Sequence, residues 1–263
     1  MQETSPKELT ARLDALHIRA LIFDLDGVIT QTATVHASAW KKMFDAYLLQ
    51  RGKQDGTSYA PLNISTDYPQ YIDGIPRYDG VRNFLRSRNI VLPEGSPEDM
   101  PGTETVAGLG NQKNTYFRKV LEQEGIAAFP DAVAFIQQQH KAGRRTAIIS
   151  ASKNCRAILQ AANLEHYFEV RVDGEVSVEL NLKGKPAPDI FLEAARQLGV
   201  KPSEAAIFED ARAGVAAGKA GKFALVVGIN RHDAPETEAL LQNGADLVVT
   251  TLSAEKPEPE NDK

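Results

Sequence analysis

The stretch that decides the fold is Ala20-Leu-Ile-Phe-Asp-Leu-Asp-Gly-Val-Ile-Thr30. Its first four residues are apolar and predict a buried strand, because short apolar runs bounded by turn residues are typical of strands covered on both faces. Two carboxylates, Asp24 and Asp26, follow at once, and Gly27 provides a tight turn. A lone Asp-x-Asp after a strand is most often a turn or a helix cap. Whether Asp24 and Asp26 form a functional site therefore depends on the residues found elsewhere in the chain.

Beyond Phe129 the chain alternates between short apolar strands and helices. We predict strands at 145–150, 168–173, 204–209, 223–228 and 246–250, and helices at 131–142, 154–163, 188–199, 213–220 and 235–243. This alternation predicts an α/β fold with a Rossmann-like parallel sheet that helices cover on both faces. The charged, Pro-rich tail at 256–263 is predicted to be disordered.

Between Val35 and Gly125 the apolar residues recur at helical spacing and no buried strand is predicted. We therefore predict an α/β catalytic core formed by 1–31 and 129–263, with an inserted α-helical cap at 32–128. Ligands of open parallel sheets bind beyond the carboxyl ends of the strands. An insertion that leaves from the end of the first strand is expected to cover that site and to contribute specificity.

The composition excludes several classes of protein. The 263 residues are 42% hydrophobic and 25% charged, as in ordinary globular enzymes, and no apolar run is long enough to span a membrane. The polar N-terminus lacks the apolar core of a secretory signal, and a single cysteine suits a reducing compartment. The net charge of −5, without a basic stripe, argues against nucleic acid as a partner. We expect a cytoplasmic enzyme that acts as a monomer.

Polar side chains stand at three of the predicted strand ends, and a lysine stands in Gly184-Lys-Pro-Ala-Pro188, where two prolines stiffen the backbone beside it. Because the carboxyl ends of parallel strands meet at one edge of the sheet, these side chains are expected to converge. Crowded carboxylates repel one another unless a cation binds among them, and oxygen ligands without histidine or cysteine favour Mg²⁺. The residues are Asp24, Asp26, Ser150, Lys185, Glu209 and Asp210.

This set has the parts that phosphoryl transfer requires. Lys185 and Mg²⁺ can neutralise a phosphate monoester, and Asp24 can attack phosphorus to form an aspartyl-phosphate. Asp26 can protonate the leaving oxygen and later activate the acceptor, while the Ser150 hydroxyl binds phosphate oxygens. Each residue alone has an ordinary explanation, such as a helix cap, a strand-end hydroxyl or a solvated charge. Their joint order along the chain favours a site.

With these residues the sequence resembles the haloacid dehalogenase superfamily over 20–250. The resemblance implies that Asp24 is the nucleophile and Asp26 the general acid and base. It also implies that Mg²⁺ is bound by Asp24, the backbone carbonyl of Asp26 and Asp210, with Glu209 beside it. The segments that carry it are Asp24-Leu-Asp-Gly-Val28 for the first motif, Ser150 for the second, Lys185 for the third and Glu209-Asp210 for the fourth.

Within that superfamily the chain is most similar to the β-phosphoglucomutase-like subfamily. The similar segments are Asp26-Gly-Val-Ile-Thr30, Gly74-Ile-Pro-Arg77, Ser150-Ala-Ser-Lys-Asn154 and Lys185-Pro-Ala-Pro-Asp-Ile-Phe191. This similarity implies a second phosphate site and contacts to the sugar. The implied substrate-binding residues are His36, Trp40, Gly74, Arg77, Ser152, Lys153 and Asn154. Core packing explains Trp40 equally well, because Trp40 falls on the apolar face of its predicted helix. A lone histidine such as His36 is more often an ordinary surface or core residue than a ligand.

The expected function is Mg²⁺-dependent phosphoryl transfer on a small sugar phosphate, in the form of a mutase that interconverts sugar 1-phosphate and 6-phosphate. A sugar-phosphate phosphatase remains the alternative, because two residues depart from the pattern of the subfamily. Gln31 replaces an acidic residue common there, and Asp73 stands where a mutase is expected to have a basic residue. A dehalogenase is disfavoured, because Asp26 supplies a leaving-group acid that suits phosphoryl chemistry better. A phosphate-binding protein without catalysis is disfavoured because every catalytic position is filled.

Overall fold

The computed structural model describes residues 4–231 and 234–258. Contacts divide the chain into two compact units, one formed by Met1–Gln31 with Ile126–Lys263 and the other by Thr32–Gly125. Residues 259–263 of the tail predicted to be disordered lie outside the described residues. In the described part of the chain, no helix is both long enough and apolar enough to cross a membrane.

The first unit is built on a six-stranded parallel sheet. Its strands, in the order of the chain, are β1 (Ala20–Asp24), β2 (Arg145–Ile149), β3 (Val170–Val172), β4 (Ala205–Glu209), β5 (Leu225–Ile229) and β6 (Leu247–Val249), arranged as β3-β2-β1-β4-β5-β6. The predicted α/β fold class is confirmed. Strand order reverses on either side of β1, which pairs with both β2 and β4. The carboxyl end of β1 is therefore the expected place for a ligand.

Helices alternate with the strands of the first unit, and they are the regular elements described in the second. In the order of the chain they are α1 (Pro6–Ala15), α2 (Ala33–Asp55), α3 (Asp67–Tyr71), α4 (Arg77–Ser87), α5 (Val106–Glu124), α6 (Pro130–Lys141), α7 (Cys155–Ala161), α8 (Gly174–Glu179), α9 (Asp189–Gln197), α10 (Arg212–Ala220) and α11 (Ala234–Gln242). The strands and helices that were predicted beyond Phe129 begin and end within two residues of their predicted bounds. This is the usual uncertainty at element ends.

Helix α8 was not predicted from the sequence. The Val-Ser-Val segment that it contains favours a strand by composition alone. The buried side chain of Asp173 accepts the backbone N–H groups of Glu175 at 3.0 Å and Val176 at 3.1 Å. These bonds satisfy donors that a helix start leaves without partners, and they favour the helix locally.

Each unit has its own apolar core. In the first, Phe23 of β1 is fully buried and stacks on Phe208 of β4, with ring centroids 4.6 Å apart. In the second, Phe44 is fully buried between Trp40, at 5.3 Å, and Phe84, at 4.2 Å. Aromatic pairs at these separations add to the hydrophobic burial that holds each unit together.

Candidate active site

Asp24 is the last residue of β1 and is 5% exposed. Its Oδ1 accepts a hydrogen bond from Lys185 Nζ at 2.6 Å, and its Oδ2 accepts one from the backbone N–H of Asp26 at 2.9 Å. Both carboxylate oxygens are thus oriented by donors, one from a distant loop and one from the turn that follows the strand. Hydrogen bonds of this kind fix a side chain before a substrate arrives.

Lys185 is buried between two carboxylates that end neighbouring strands. Its ammonium donates to Asp24 of β1 and to Oε1 of Glu209 at the end of β4. The other oxygen of Glu209, Oε2, accepts the backbone N–H of Ala211 at 2.8 Å. Both oxygens of Glu209 are engaged, so this residue serves chiefly to hold Lys185 in place.

The charges of this cluster shift the pKa values of its members. Burial lowers the pKa of Lys185, but the negative charges of Asp24 and Glu209 together raise it by more. The net shift of the Lys185 pKa is therefore upward. The ammonium group therefore stays charged at neutral pH. Burial raises the pKa of Asp24 well above its ordinary value, and Lys185 opposes this only in part. An additional positive charge beside Asp24 would favour its ionised form.

The cluster of three carboxylates at this edge of the sheet is suited to a hard divalent cation. Carboxylate oxygens of Asp24, Glu209 and Asp210 all lie within 4.8 Å of one another. Set against the single ammonium of Lys185, three carboxylates leave an excess of two negative charges. Oxygen ligands without histidine or cysteine are the set that Mg²⁺ prefers. The donor set therefore fits Mg²⁺.

Gly27 is required for the position of Asp210. A Cβ atom at residue 27 would lie 1.7 Å from Oδ2 of Asp210, well inside van der Waals contact. The backbone of Gly27 also has φ of +79°, a left-handed conformation that favours glycine. The glycine of the Asp-x-Asp-Gly motif thus lets Asp210 approach the turn after β1.

Ser150 connects Asp26 with the loop that follows β2. Its hydroxyl donates to Oδ2 of Asp26 at 3.4 Å and accepts the backbone N–H of Ser152 at 3.0 Å. The Ser152 hydroxyl in turn accepts the backbone N–H of Asn154 at 3.1 Å. Asn154 is buried and Lys153 is exposed. Six of the sequence-predicted residues thus meet at one edge of the sheet: Asp24, Asp26, Ser150, Lys185, Glu209 and Asp210.

The remaining predicted substrate-binding residues lie in the second unit. Trp40 is 4% exposed and belongs to the unit's apolar core, so packing accounts for its position. His36 is buried, and its ring stacks on Phe117 with centroids 4.0 Å apart. Gly74 has φ of +70° in the turn before α4. Their contacts with substrate stay a prediction.

Arg77, the first residue of α4, is half-buried. Burial lowers the pKa of its guanidinium, and the positive charge of Arg118 lowers it further. Among residues 4–231 and 234–258, no carboxylate forms an ion pair with Arg77. A half-buried guanidinium without a carboxylate partner is suited to an anionic ligand.

Lys113 is a buried residue that sequence reasoning missed. It is 3% exposed, and its Nζ lies 2.5 Å from Nδ1 of His36. The same ammonium lies 5.1 Å from the ring centroid of Phe117 and 5.2 Å from that of Trp40. The available signal was spacing, because Lys113 precedes Phe117 by one helical turn and shares its apolar face.

Known proteins resemble this chain along most of its length. Residues 18–222 match the haloacid dehalogenase-like hydrolase family. A beta-phosphoglucomutase of Mycobacterium bovis is 48% identical over 237 residues, which are 90% of this chain and 90% of that protein. A fructose-1-phosphate phosphatase of Escherichia coli is 29% identical over 203 residues, 76% of this chain and 90% of that protein. The crystal structure of a beta-phosphoglucomutase from Clostridium difficile has a similar fold, with a TM-score of 0.70 at 24% identity over 91% of this chain and 93% of that one.

Proposed function

The chain belongs to the haloacid dehalogenase-like hydrolase family, and from this premise we propose that it interconverts sugar 1-phosphate and 6-phosphate as a β-phosphoglucomutase does. The reaction passes through an aspartyl-phosphate on Asp24 and depends on Mg²⁺. The observation that carries this proposal is the Asp24 carboxylate, held by Lys185 and the backbone of Asp26 within reach of Asp210. These are the groups that an attack on a phosphate monoester requires.

Asp24 is the nucleophile of the proposed reaction. One of its carboxylate oxygens forms a bond to phosphorus while the bond between phosphorus and the substrate oxygen breaks. The ammonium of Lys185 lies beside this centre, where it stabilises negative charge on the phosphoryl oxygens. An acceptor hydroxyl then attacks phosphorus, the bond from Asp24 to phosphorus breaks, and the carboxylate is restored.

Asp26 carries the proton in both halves of the reaction. In its acid form it protonates the substrate oxygen, which leaves with the electron pair of the broken bond. In the second half the Asp26 carboxylate takes the proton of the attacking hydroxyl, which returns it to its starting state. The Ser150 hydroxyl donates to Oδ2 of Asp26 at 3.4 Å and so helps to orient the Asp26 carboxyl.

Mg²⁺ would be held by Asp24, Asp210 and the backbone carbonyl of Asp26, with Glu209 beside it. When bound, it supplies positive charge that lets an anionic phosphate approach the carboxylates. Binding of this kind depends on the position of Asp210, and hence on the absence of a side chain at Gly27.

Gly27→Ala is expected to raise the dissociation constant for Mg²⁺ by at least about tenfold, because the new methyl group displaces Asp210 from the acidic group. Titration calorimetry measures this directly. Gly143→Ala is the matched control, since Gly143 has a similar φ of +76° but nothing within 4 Å of the position of its Cβ. Equal loss in the two variants would show that backbone strain, and not the displacement of Asp210, is responsible.

The mutase assignment requires a site for the phosphate that is not being transferred. A bisphosphate intermediate must be held in either orientation, so both of its phosphates need partners. We assign Arg77 to this role, because its guanidinium is half-buried, has no carboxylate partner among the described residues and can bind phosphate in a bidentate manner. Ser152, Lys153 and Asn154 are assigned to the same function.

Arg77→Lys is expected to raise KM for the bisphosphate by at least about tenfold, because an ammonium cannot form the paired hydrogen bonds of a guanidinium. Arg82→Lys in the same helix is the control, since Arg82 is already paired with Asp79 and Glu94. Steady-state kinetics measures both variants. A similar KM in wild type and Arg77→Lys would exclude Arg77 from the phosphate site.

The mutase proposal is tested with β-glucose 1-phosphate, Mg²⁺ and a trace of the 1,6-bisphosphate. The expected product is glucose 6-phosphate, formed without stoichiometric release of inorganic phosphate. If inorganic phosphate is the only product, the mutase proposal is refuted and the hydrolytic alternative stands.

That alternative is a sugar-phosphate phosphatase, in which water takes the phosphoryl group from Asp24. It is favoured by the Escherichia coli relative that is a fructose-1-phosphate phosphatase, and by Asp73 beside Gly74, where a basic residue is expected in a mutase. A phosphate-release screen over hexose phosphates and trehalose phosphate distinguishes the two functions. Release of phosphate at enzymatic rates from one of these substrates, without isomerisation, would support the phosphatase.

A further inference from the structure

Arg231 lies just beyond the carboxyl end of β5, and its side chain is 13% exposed. Its Nε donates to the backbone carbonyl of Gly27 at 3.3 Å, and its Nη2 donates to that of Val28 at 3.2 Å. Its Nη1 donates to the two carboxylate oxygens of Asp131 at 3.1 and 3.2 Å. One guanidinium thus binds the turn after the nucleophile and the first turn of α6.

The partners of Arg231 are themselves anchored. Asp131 Oδ2 also accepts the backbone N–H of Leu252 at 2.8 Å and the hydroxyl of Thr251 at 3.0 Å. The ring of Phe129 lies against the guanidinium, with its centroid 3.7 Å from Cζ. A guanidinium that stacks on an aromatic ring while it donates in its own plane is held in one orientation.

The two segments that Arg231 contacts also pair with each other. The backbone N–H of Phe129 donates to the carbonyl of Ile29, and that of Gln31 donates to the carbonyl of Ala127, both at 2.9 Å. Arg231 adds a third connection at Gly27, the residue directly after Asp26. The backbone of this turn therefore continues directly into Asp26, whose carboxyl accepts the Ser150 hydroxyl at 3.4 Å.

We propose that Arg231 is a positioning residue, which fixes the turn at Gly27 and Val28 so that Asp26 faces the leaving oxygen. This inference rests on the proposed function, because it assumes that Asp26 transfers the proton. Arginine is needed because its planar fork reaches two backbone carbonyls and a carboxylate at once. The shorter reach and single nitrogen of lysine cannot bind all three.

The test compares two phosphoryl donors in single-turnover phosphorylation of the enzyme. Acetyl phosphate releases acetate, a stable anion that needs no proton, whereas β-glucose 1,6-bisphosphate must release a protonated sugar hydroxyl. Arg231→Lys is expected to slow transfer from the bisphosphate at least about tenfold more than transfer from acetyl phosphate, because it impairs only the proton donor. Asp26→Asn is the reference for the same selective loss.

Arg144→Lys is the matched control for this comparison. Arg144 is similarly buried, and it also binds a backbone carbonyl, that of Ile18 at 3.0 Å, and a carboxylate, that of Asp14. It lies at the amino end of the sheet, before β2 begins. Its substitution is expected to leave the ratio of the two donor rates unchanged.

Hydrogen exchange provides a readout that does not depend on activity. The amides of Gly27 and Phe129, which donate to Thr30 and Ile29, are expected to exchange at least about tenfold faster in Arg231→Lys than in wild type. Equal slowing with both donors, or unchanged exchange at these amides, would overturn the role of Arg231 and leave the proposed function standing. Wild-type enzyme that accepts phosphate from neither donor would refute the proposed function, and the inference would fall with it.

Discussion

Replacing Asp24 by asparagine is expected to lower kcat by at least about 10³-fold, because the amide cannot form the aspartyl-phosphate on which turnover depends. The substitution preserves the shape of the side chain and removes one of the crowded negative charges. The fold is therefore expected to remain intact, and the loss is expected in kcat rather than in the fraction of folded enzyme. Steady-state kinetics and thermal unfolding, run on the same preparation, separate these effects.

Asp246→Asn is the matched control. Asp246 also accepts one hydrogen bond from a lysine, Lys219 at 3.0 Å, and one from a backbone N–H, that of Val226 at 2.8 Å. It lies just before β6, away from the carboxyl edge of the sheet. Its variant is expected to keep near wild-type turnover. An Asp24→Asn enzyme that retains a tenth of wild-type kcat would exclude Asp24 as the nucleophile.

Lys185→Met is expected to have the second largest effect, on both activity and stability. Removing the ammonium leaves the buried carboxylates of Asp24 and Glu209 facing each other without a compensating charge. Breaking a buried ion pair in this way typically costs about 3–5 kcal/mol of unfolding free energy. We expect this loss in urea unfolding with a chelator present, and a fall in kcat of at least about 10²-fold because the phosphoryl oxygens lose a positive partner.

The stability of Lys185→Met should also depend on pH in a defined direction. A carboxyl whose pKa is higher in the folded than in the unfolded state binds more protons when folded, so acid favours folding. Burial already raises the pKa of Asp24 in the wild type, and loss of Lys185 raises it further. The variant is therefore expected to lose stability as the pH rises above the ordinary Asp value of 3.8.

Lys219→Met is the control for the loss of an ion pair. Lys219 pairs with Asp246 at 3.0 Å, but its side chain is 59% exposed, and such surface pairs contribute about 0–1 kcal/mol. If Lys185→Met were no less stable than Lys219→Met when the chelator is present, the charge balance described here would be wrong.

The sheet could be predicted from the sequence because each strand has a short apolar run and each connection a helical pattern. The rule that parallel strands present their carboxyl ends at one edge then brought Asp24, Ser150 and Glu209 together in advance. Helix α8 escaped prediction because its start depends on the Asp173 side chain, a local hydrogen-bonding effect that outweighs composition.

The contacts of Arg231 could not be predicted, although the strand-end rule points to its position. Its partner Gly27 lies 204 residues earlier in the chain, and Asp131 lies 100 residues earlier. The reach of the Arg231 side chain and the path of the loop after β5 decide that it contacts these residues. Neither is encoded in the periodicity of the sequence. Lys185 was located only by the motif, because no strand of its own ends at that residue.

The most direct test of the account is to trap the phosphorylated carboxylate. Enzyme incubated with β-glucose 1,6-bisphosphate and Mg²⁺ is quenched and reduced with borohydride, which converts an aspartyl-phosphate to homoserine. Peptide mass spectrometry then locates the modified residue. Homoserine at position 24, and its absence from Asp24→Asn, is the predicted result. Homoserine at another carboxylate, or none during demonstrated turnover, would contradict the account.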